Sequence, residues 1–173
     1  MPKRLFLLCI LLVAVLILSA CRYGPDATTD PASPKQPTTV SAFSAPLFYL
    51  YFSENSSYFK RVQGYEFRTE EGRYTAYFYM AGEEELYPVT VDRAWAETLT
   101  GFIAEYGMLG WDGFSGSATG LLDGTQFLIE FICADGTAVK ASGYGQFPDG
   151  YGGASEAIEA HFMQLLPKDM RDW

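Results

Sequence analysis

The sequence contains few cysteines and a single histidine. Its 173 residues include three cysteines, and His161 is the one histidine. No Cys-x-x-Cys pair, histidine-rich cluster or glycine-rich phosphate loop occurs in it. We therefore predict no disulfide-rich scaffold, no zinc site and no nucleotide-phosphate site. Because no catalytic constellation is recognisable either, we expect a protein that is not an enzyme and needs no cofactor.

Basic residues are also scarce. Lysine and arginine together number 12, against 21 aspartates and glutamates, so the formal net charge is −9 at pH 7. An acidic chain repels phosphate backbones, which argues against a nucleic-acid partner. Four Asp-Gly pairs raise the question of calcium, but none has the alternating oxygen ligands of a calcium loop. Turns explain these pairs better, and we predict no metal site.

A hydrophobic run long enough for a standard membrane span is missing. Residues 5–20 are almost entirely apolar. A spanning helix needs about 20 such residues, whereas the core of an export signal needs only about 7–15. Lys3 and Arg4 precede the run, and the small residues Ser19 and Ala20 end it. This arrangement predicts an export signal.

The end of the run, Leu18-Ser19-Ala20-Cys21, resembles the lipobox of bacterial lipoproteins. The resemblance implies that residues 1–20 are a signal peptide, removed by cleavage before Cys21, whose thiol receives a diacylglyceryl group. Two acyl chains anchor a protein stably, so the lipid bilayer is the first expected partner, and the domain would face outside the cytoplasm. An uncleaved signal anchor and a soluble secreted protein are the alternatives.

This interpretation leaves the mature chain without a disulfide. Cys9 leaves with the signal peptide and Cys21 carries lipid, so Cys133 has no partner. Residues 21–42 comprise the lipidated cysteine and a tether rich in proline and threonine, which has too little apolar surface to fold. Residues 43–173 are predicted to form a single domain, and it must depend on its hydrophobic core.

Hydrophobic periodicity in residues 43–173 predicts an α+β fold. Strands are predicted at 43–52, 64–68, 73–80, 87–91, 126–133 and 137–142. Asp92 is a favourable N-cap for a first helix that ends at Gly107, and a second helix is predicted over 155–166. We expect an antiparallel sheet of about five to six strands with two packing helices.

Two loops rich in glycine and aromatic residues are expected at one end of the last hairpin. A two-residue turn at 135–136 places Ile132 opposite Val139 and brings the segments 111–124 and 143–153 together. Because long loops in compact domains are often functional, we predict a candidate binding surface made of Trp111, Asp112, Phe114, Asp123, Tyr144, Phe147, Asp149 and Tyr151. Aromatic rings beside carboxylates suit sugars or peptides. The alternative, which we favour, is that these rings fix the loops to the core.

A second set of aromatic residues lies in the predicted strands and comprises Tyr49, Tyr51, Tyr77 and Tyr79. They form either an exposed stacking platform for wall glycans or part of a second buried sheet face. The apolar character of both faces in the first strand and in the strand before the last hairpin turn favours the buried arrangement.

Neither the remaining cysteine nor the histidine is predicted to be reactive. Cys133 shares a strand face with Ile129 and Phe131, so we expect a buried, inert thiol. His161 lies beside the apolar stripe of the second helix, where a solvated side chain is expected.

The C-terminal half has a recognisable order of turns and aromatic residues. It runs Trp-Asp-Gly-Phe at 111–114, Leu-Asp-Gly at 122–124, Asp-Gly-Thr at 135–137 and Pro-Asp-Gly-Tyr at 148–151. This order resembles small uncharacterised lipoproteins of Gram-positive bacteria, and the resemblance supplies no catalytic residue. We therefore expect a non-catalytic domain that binds a wall glycan, a peptide or an envelope protein. The alternatives are an envelope-acting enzyme such as a hydrolase, and a structural or inhibitory module for a protein partner.

Overall fold

Seven strands and three α-helices make up the part of the chain that the computed structural model describes, residues 45–55, 60–121 and 123–171. The strands are β1 (Leu47–Asn55), β2 (Val62–Glu70), β3 (Arg73–Met80), β4 (Tyr87–Val91), β5 (Ser115–Ser117), β6 (Gln126–Cys133) and β7 (Ala138–Tyr144). The helices are α1 (Arg93–Glu105), α2 (Tyr151–Met163) and α3 (Lys168–Arg171), and a 3-10 helix spans Met108–Trp111. The predicted α+β class is confirmed. The predicted signal peptide, lipidated Cys21 and tether lie outside the described residues.

The sheet differs from the prediction in two respects. It has seven strands, in the order β4-β3-β2-β1-β6-β7-β5, because Ser115–Ser117 adds β5. It is also mixed, since β5 runs parallel to β7 whereas the other neighbours are antiparallel. The Ser-Gly-Ser sequence of β5 has little strand propensity, so its pairing with β7 makes it a strand.

Side chains alternate between the two faces of the sheet. Leu50 of β1 lies opposite Phe67 of β2 and Phe131 of β6, and all three side chains are fully buried on what we call the core face. Their neighbours along the strands, such as Tyr51 and Glu66, belong to the other face, which we call the open face.

Helices α1 and α2 cover the core face. Asp92 caps α1 by accepting a hydrogen bond from the backbone N–H of Trp95 at 2.8 Å, and Leu99 and Ile103 on the inner side of α1 are fully buried. Phe162 of α2 is also fully buried within the same core. The apolar side chains that α1 and α2 bury all belong to this one core and α3 buries none, so among the described residues no helix forms the second covered face that we expected.

Helix α2 begins earlier than predicted, at Tyr151 rather than at residue 155, and it ends at Met163 rather than at residue 166. Gly152 and Gly153 are poor helix formers, which hides the first turn in the sequence. Tyr151 and Ala154 are nevertheless buried against the core, and this packing overrides the weak propensity.

The last hairpin has a register one residue away from the predicted one. Val139 lies opposite Phe131 rather than Ile132. The turn closes with a hydrogen bond from the Gly136 N–H to the Cys133 carbonyl at 2.9 Å, and Gly136 has a φ of 88°. The connection is therefore a three-residue loop with a left-handed glycine at its end, not a two-residue turn. The observed register places Val139 and Phe131 together on the core face.

Candidate functional site

The two loops predicted to meet at the end of the last hairpin do lie side by side. The N–H of Ala118 donates to the carbonyl of Tyr144 at 2.9 Å, and the N–H of Gly145 donates to the carbonyl of Thr125 at 2.9 Å. Strand β5 in the first loop pairs with β7. Backbone hydrogen bonds thus join the two segments into one structure, which we call the loop cluster.

The largest rings of the loop cluster point into the core. Trp111 is 4% exposed, and its Nε1–H donates to the carbonyl of Asp149 at 3.0 Å. Tyr151 is 7% exposed, and its hydroxyl donates to Glu54 at 2.7 Å. Burial, followed by this hydrogen bond, raises the pKa of Tyr151. The Tyr151 ring also packs on Phe127 at a centroid distance of 4.4 Å. Both polar groups are therefore occupied by the protein itself.

The other predicted residues of this surface are more accessible. The Asp112 carboxylate accepts a hydrogen bond from the backbone N–H of Lys140 at 3.2 Å, and the Tyr144 hydroxyl accepts one from Gly124 at 3.1 Å. Phe114 is half-buried, and the remaining three residues, Asp123, Phe147 and Asp149, are exposed. A hollow of about 530 Å³ is lined by Tyr106, Gly107, Gly110, Trp111, Phe114, Phe147, Pro148 and Asp149. Four of the eight predicted residues line this hollow, namely Trp111, Phe114, Phe147 and Asp149, and the role of the surface in binding stays a prediction.

The open face presents a different group of aromatic residues. Tyr49, Tyr51, Tyr77 and Tyr79 are all half-buried. Glu66 lies between two of them, since it is opposite Tyr51 on β1 and opposite Tyr77 on β3. Strands β1, β2 and β3 therefore place a carboxylate in the middle of a tyrosine platform.

Glu66 is the most buried charged residue of this face, with an exposure of 2%. Its carboxylate forms an ion pair with the Nε of Arg68 and accepts a hydrogen bond from the Tyr79 hydroxyl at 2.5 Å. The hydrogen bond with Glu66 raises the pKa of Arg68, and burial together with Glu66 raises the pKa of Tyr79. The carboxylate is thus partnered within the face itself, which is the requirement for a buried charge.

The rings of the open face are held in defined positions. Tyr79 meets Tyr51 edge to face, with centroids 5.4 Å apart, and lies beside Gly64. The guanidinium of Arg68 lies 4.9 Å above the centroid of the Tyr77 ring. Because these contacts order the rings before any ligand arrives, binding on them loses little side-chain entropy.

Sequence reasoning identified the tyrosines but missed Glu66 and Arg68. The signal was present, because the alternation in residues 64–68 places these two side chains on one face and Tyr65 and Phe67 on the other.

The one described cysteine and the histidine are both buried. Cys133 is 2% exposed, so the thiol is buried as predicted. Burial together with Asp135 raises the pKa of this thiol to about 11, and a raised pKa makes a thiol less reactive. His161 is buried, contrary to the expected solvated position. Its ring stacks on Trp95 at 4.2 Å and its Nε2–H donates to the Trp95 carbonyl at 3.0 Å. Within the described ranges, no group of three or more His, Cys, Asp or Glu side chains is arranged to hold a metal ion.

A polar cluster at the edge of the core joins helix α2 to the sheet. The ammonium of Lys60 lies 3.4 Å from Glu54 and 3.3 Å from Glu159. Burial lowers the pKa of Lys60, but these two carboxylates outweigh that effect and raise it. These two ion pairs make the cluster a structural link between strand β1 and helix α2.

Comparisons with known proteins found no relative of this chain. No family model matches the chain, and no curated protein matches it. Among the residues that the structure describes, no helix is long and apolar enough to cross a membrane. The resemblance to bacterial lipoproteins therefore stays a prediction from the sequence.

Proposed function

We propose that this chain is a membrane-anchored lipoprotein that faces outside the cytoplasm and binds a component of the cell envelope without catalysis. The Leu-Ser-Ala-Cys sequence at 18–21 supports the anchoring, and the open face supports the binding. The observation that carries the proposal is the set of four half-buried tyrosines ordered around Glu66 on a face that the described helices leave uncovered.

The non-catalytic character of the proposal agrees with the positions of the reactive groups. Cys133 and His161 are both buried in apolar surroundings. On the open face, the central carboxylate of Glu66 is engaged by Arg68 and Tyr79, so it is not presented to a substrate as a free base. This arrangement favours recognition over the hydrolase alternative.

The anchoring is tested by fatty-acid labelling in the source bacterium. The Cys21→Ser chain should lose incorporation of labelled fatty acid, because its hydroxyl does not replace the thiol in thioether formation. Cys133→Ser is the matched control, since this thiol is buried and should leave labelling unchanged. Equal labelling of Cys21→Ser and the unchanged chain would contradict a lipid at Cys21.

The binding is tested by sedimentation of the full chain, kept in detergent, with cell walls from which lipid has been extracted. We expect the chain to sediment with the walls and Tyr77→Ala to lose this property. Tyr87→Ala is the matched control, because Tyr87 is a 38% exposed tyrosine of the same sheet on the opposite face. A chain that does not sediment with walls, or a Tyr77→Ala chain that sediments equally, would contradict binding at the open face.

A further inference from the structure

The charges on the open face balance, although the chain as a whole carries a formal charge of −9. The strand register places six charged side chains on this face, three carboxylates and three cations: Glu66, Glu70, Glu130, Arg68, Arg73 and Lys140. Several of them are paired with one another, as Lys140 is with Glu130 at 3.3 Å. An acidic or basic polymer therefore gains little from this surface, and an uncharged ligand fits it better.

The remainder of the open face is polar or apolar but uncharged. Ser53, Leu128 and Ser142 lie in one row across β1, β6 and β7; Ser53 is buried, whereas Leu128 and Ser142 are half-buried. At the other end of β1, a bulge leaves Phe48 51% exposed, next to Ile132, which is 40% exposed. The tyrosine platform thus continues into a broad surface that offers rings, hydroxyls and apolar side chains together.

The backbone of this region is not available to a ligand. Strand β1 is paired on both sides, with β2 and β6, and β2 is paired with β1 and β3. An extended peptide that binds by adding a strand needs a free sheet edge, which these central strands do not offer. Recognition on the open face must therefore use side chains alone.

We infer that the open face binds a flat, uncharged glycan chain, whose sugar rings lie on the tyrosines. This inference rests on the proposed function and names the class of its ligand. The C–H groups of a pyranose face pack against the electron-rich face of an aromatic ring. The hydroxyls around the sugar accept and donate hydrogen bonds, which the charged side chains of the same face strengthen. A neutral glycan therefore packs on the rings and is compatible with the balanced charge of the face. It also needs no hydrogen bonds from the backbone of the central strands.

Two soluble oligosaccharides of this class, cellohexaose and chitohexaose, test the inference by calorimetric titration into the full chain in detergent micelles. We expect at least one of them to bind. Tyr77→Ala should weaken this binding at least about tenfold, the effect of losing one anchoring aromatic residue. Tyr77→Phe keeps the ring and should bind nearly as well as the unchanged chain, and Tyr87→Ala should have no effect. Oligogalacturonate, an anionic chain of similar size, should not bind.

The outcomes separate this inference from the proposed function. If neither oligosaccharide binds, but the chain still sediments with delipidated walls in a manner that requires Tyr77, the glycan class is wrong and the binding function stands. Loss of sedimentation after protease treatment of the walls would identify a protein ligand and overturn the inference. If the chain neither sediments nor binds a glycan, both proposals fail. Circular dichroism checks that Tyr77→Ala is folded, and Tyr49→Ala, on the same face in β1, replaces it if it is not.

Discussion

The loop cluster and the open face are both rich in aromatic residues, but the structure uses them differently. In the loop cluster, Trp111 and Tyr151 are almost completely buried and direct their polar atoms to the protein itself. On the open face, rings such as those of Tyr49 and Tyr77 stay half-exposed around a buried carboxylate. Aromatic and glycine content alone does not distinguish a binding surface from a core. The relevant difference is how far the ordered rings stay exposed to solvent.

The substitution Trp111→Ala should break the loop cluster and have the largest effect. Removing a buried tryptophan eliminates its contacts and leaves a cavity, so we expect the free energy of unfolding to fall by about 3–5 kcal/mol. Tyr77→Ala, on the open face, should lower it by only about 1 kcal/mol because the ring is half-exposed. Urea unfolding followed by circular dichroism measures both values. Similar losses in the two variants would mean that the open face also depends on its rings for folding.

Alanine substitutions of glycines test how tightly the loop cluster and the open face are packed. A Cβ at Gly143, in the loop cluster, would lie 2.2 Å from the Gln146 carbonyl oxygen and 2.6 Å from the Phe127 ring. Since the nearest atom belongs to the backbone, Gly143→Ala should lower the free energy of unfolding by about 3 kcal/mol.

The matched variant on the open face is Gly64→Ala. Its Cβ would meet the Phe52 carbonyl oxygen at 3.3 Å and the Tyr79 ring at 3.5 Å. The first contact needs a shift of only a few tenths of an ångström and the second is an ordinary van der Waals contact, so we expect a loss below about 1 kcal/mol in the same urea experiment. A larger loss for Gly64→Ala than for Gly143→Ala would reverse the proposed difference in packing.

The sequence was sufficient where local signals and tertiary packing agree. Helix α1 has both an N-cap at Asp92 and a regular apolar stripe, and it occurs where predicted. Strand β5 has neither signal, because Ser115–Ser117 becomes a strand only through its pairing with β7. The hairpin register was missed by one residue, since Asp-Gly fits both a two-residue turn and the last two residues of a three-residue loop.

The candidate site was only partly predictable for a related reason. Tyrosine has an apolar ring and a polar hydroxyl, so it occurs both on buried and on exposed strand faces. The sequence of a strand that contains Tyr49 and Tyr51 therefore does not show whether a helix covers that face. The loop aromatics were correctly grouped in space, but the direction of Trp111 and Tyr151 depends on core neighbours from distant parts of the chain, such as Glu54 and Phe127.

Glu66→Gln tests whether the buried carboxylate orders the open face. The amide keeps the size of the side chain but loses the charge that Arg68 and Tyr79 share, so we expect a loss of about 1.5–3 kcal/mol in the free energy of unfolding. Glu130→Gln is the matched control, because its pair with Lys140 is more exposed and should contribute less than about 1 kcal/mol. Chemical denaturation of both variants gives these values. If Glu66→Gln is as stable as Glu130→Gln, the Glu66 network does not organise the platform.

The smallest predicted effect concerns pH and again separates the helix-covered core face from the open face. Burial between helices lowers the pKa of His161, the only histidine of the chain, below its ordinary value of 6.5. As the pH falls below about 6.5, the unfolded chain takes up a proton that the folded chain excludes, so stability is complete above this pH and declines below it. His161→Gln, which keeps an N–H donor for the Trp95 carbonyl, should remove this decline in a series of urea titrations between pH 8 and pH 6. Ligand binding at the open face should stay constant over the same interval, because His161 is buried among the helices on the core face. A binding constant that falls in parallel with stability would show that the two faces of the sheet are coupled rather than independent.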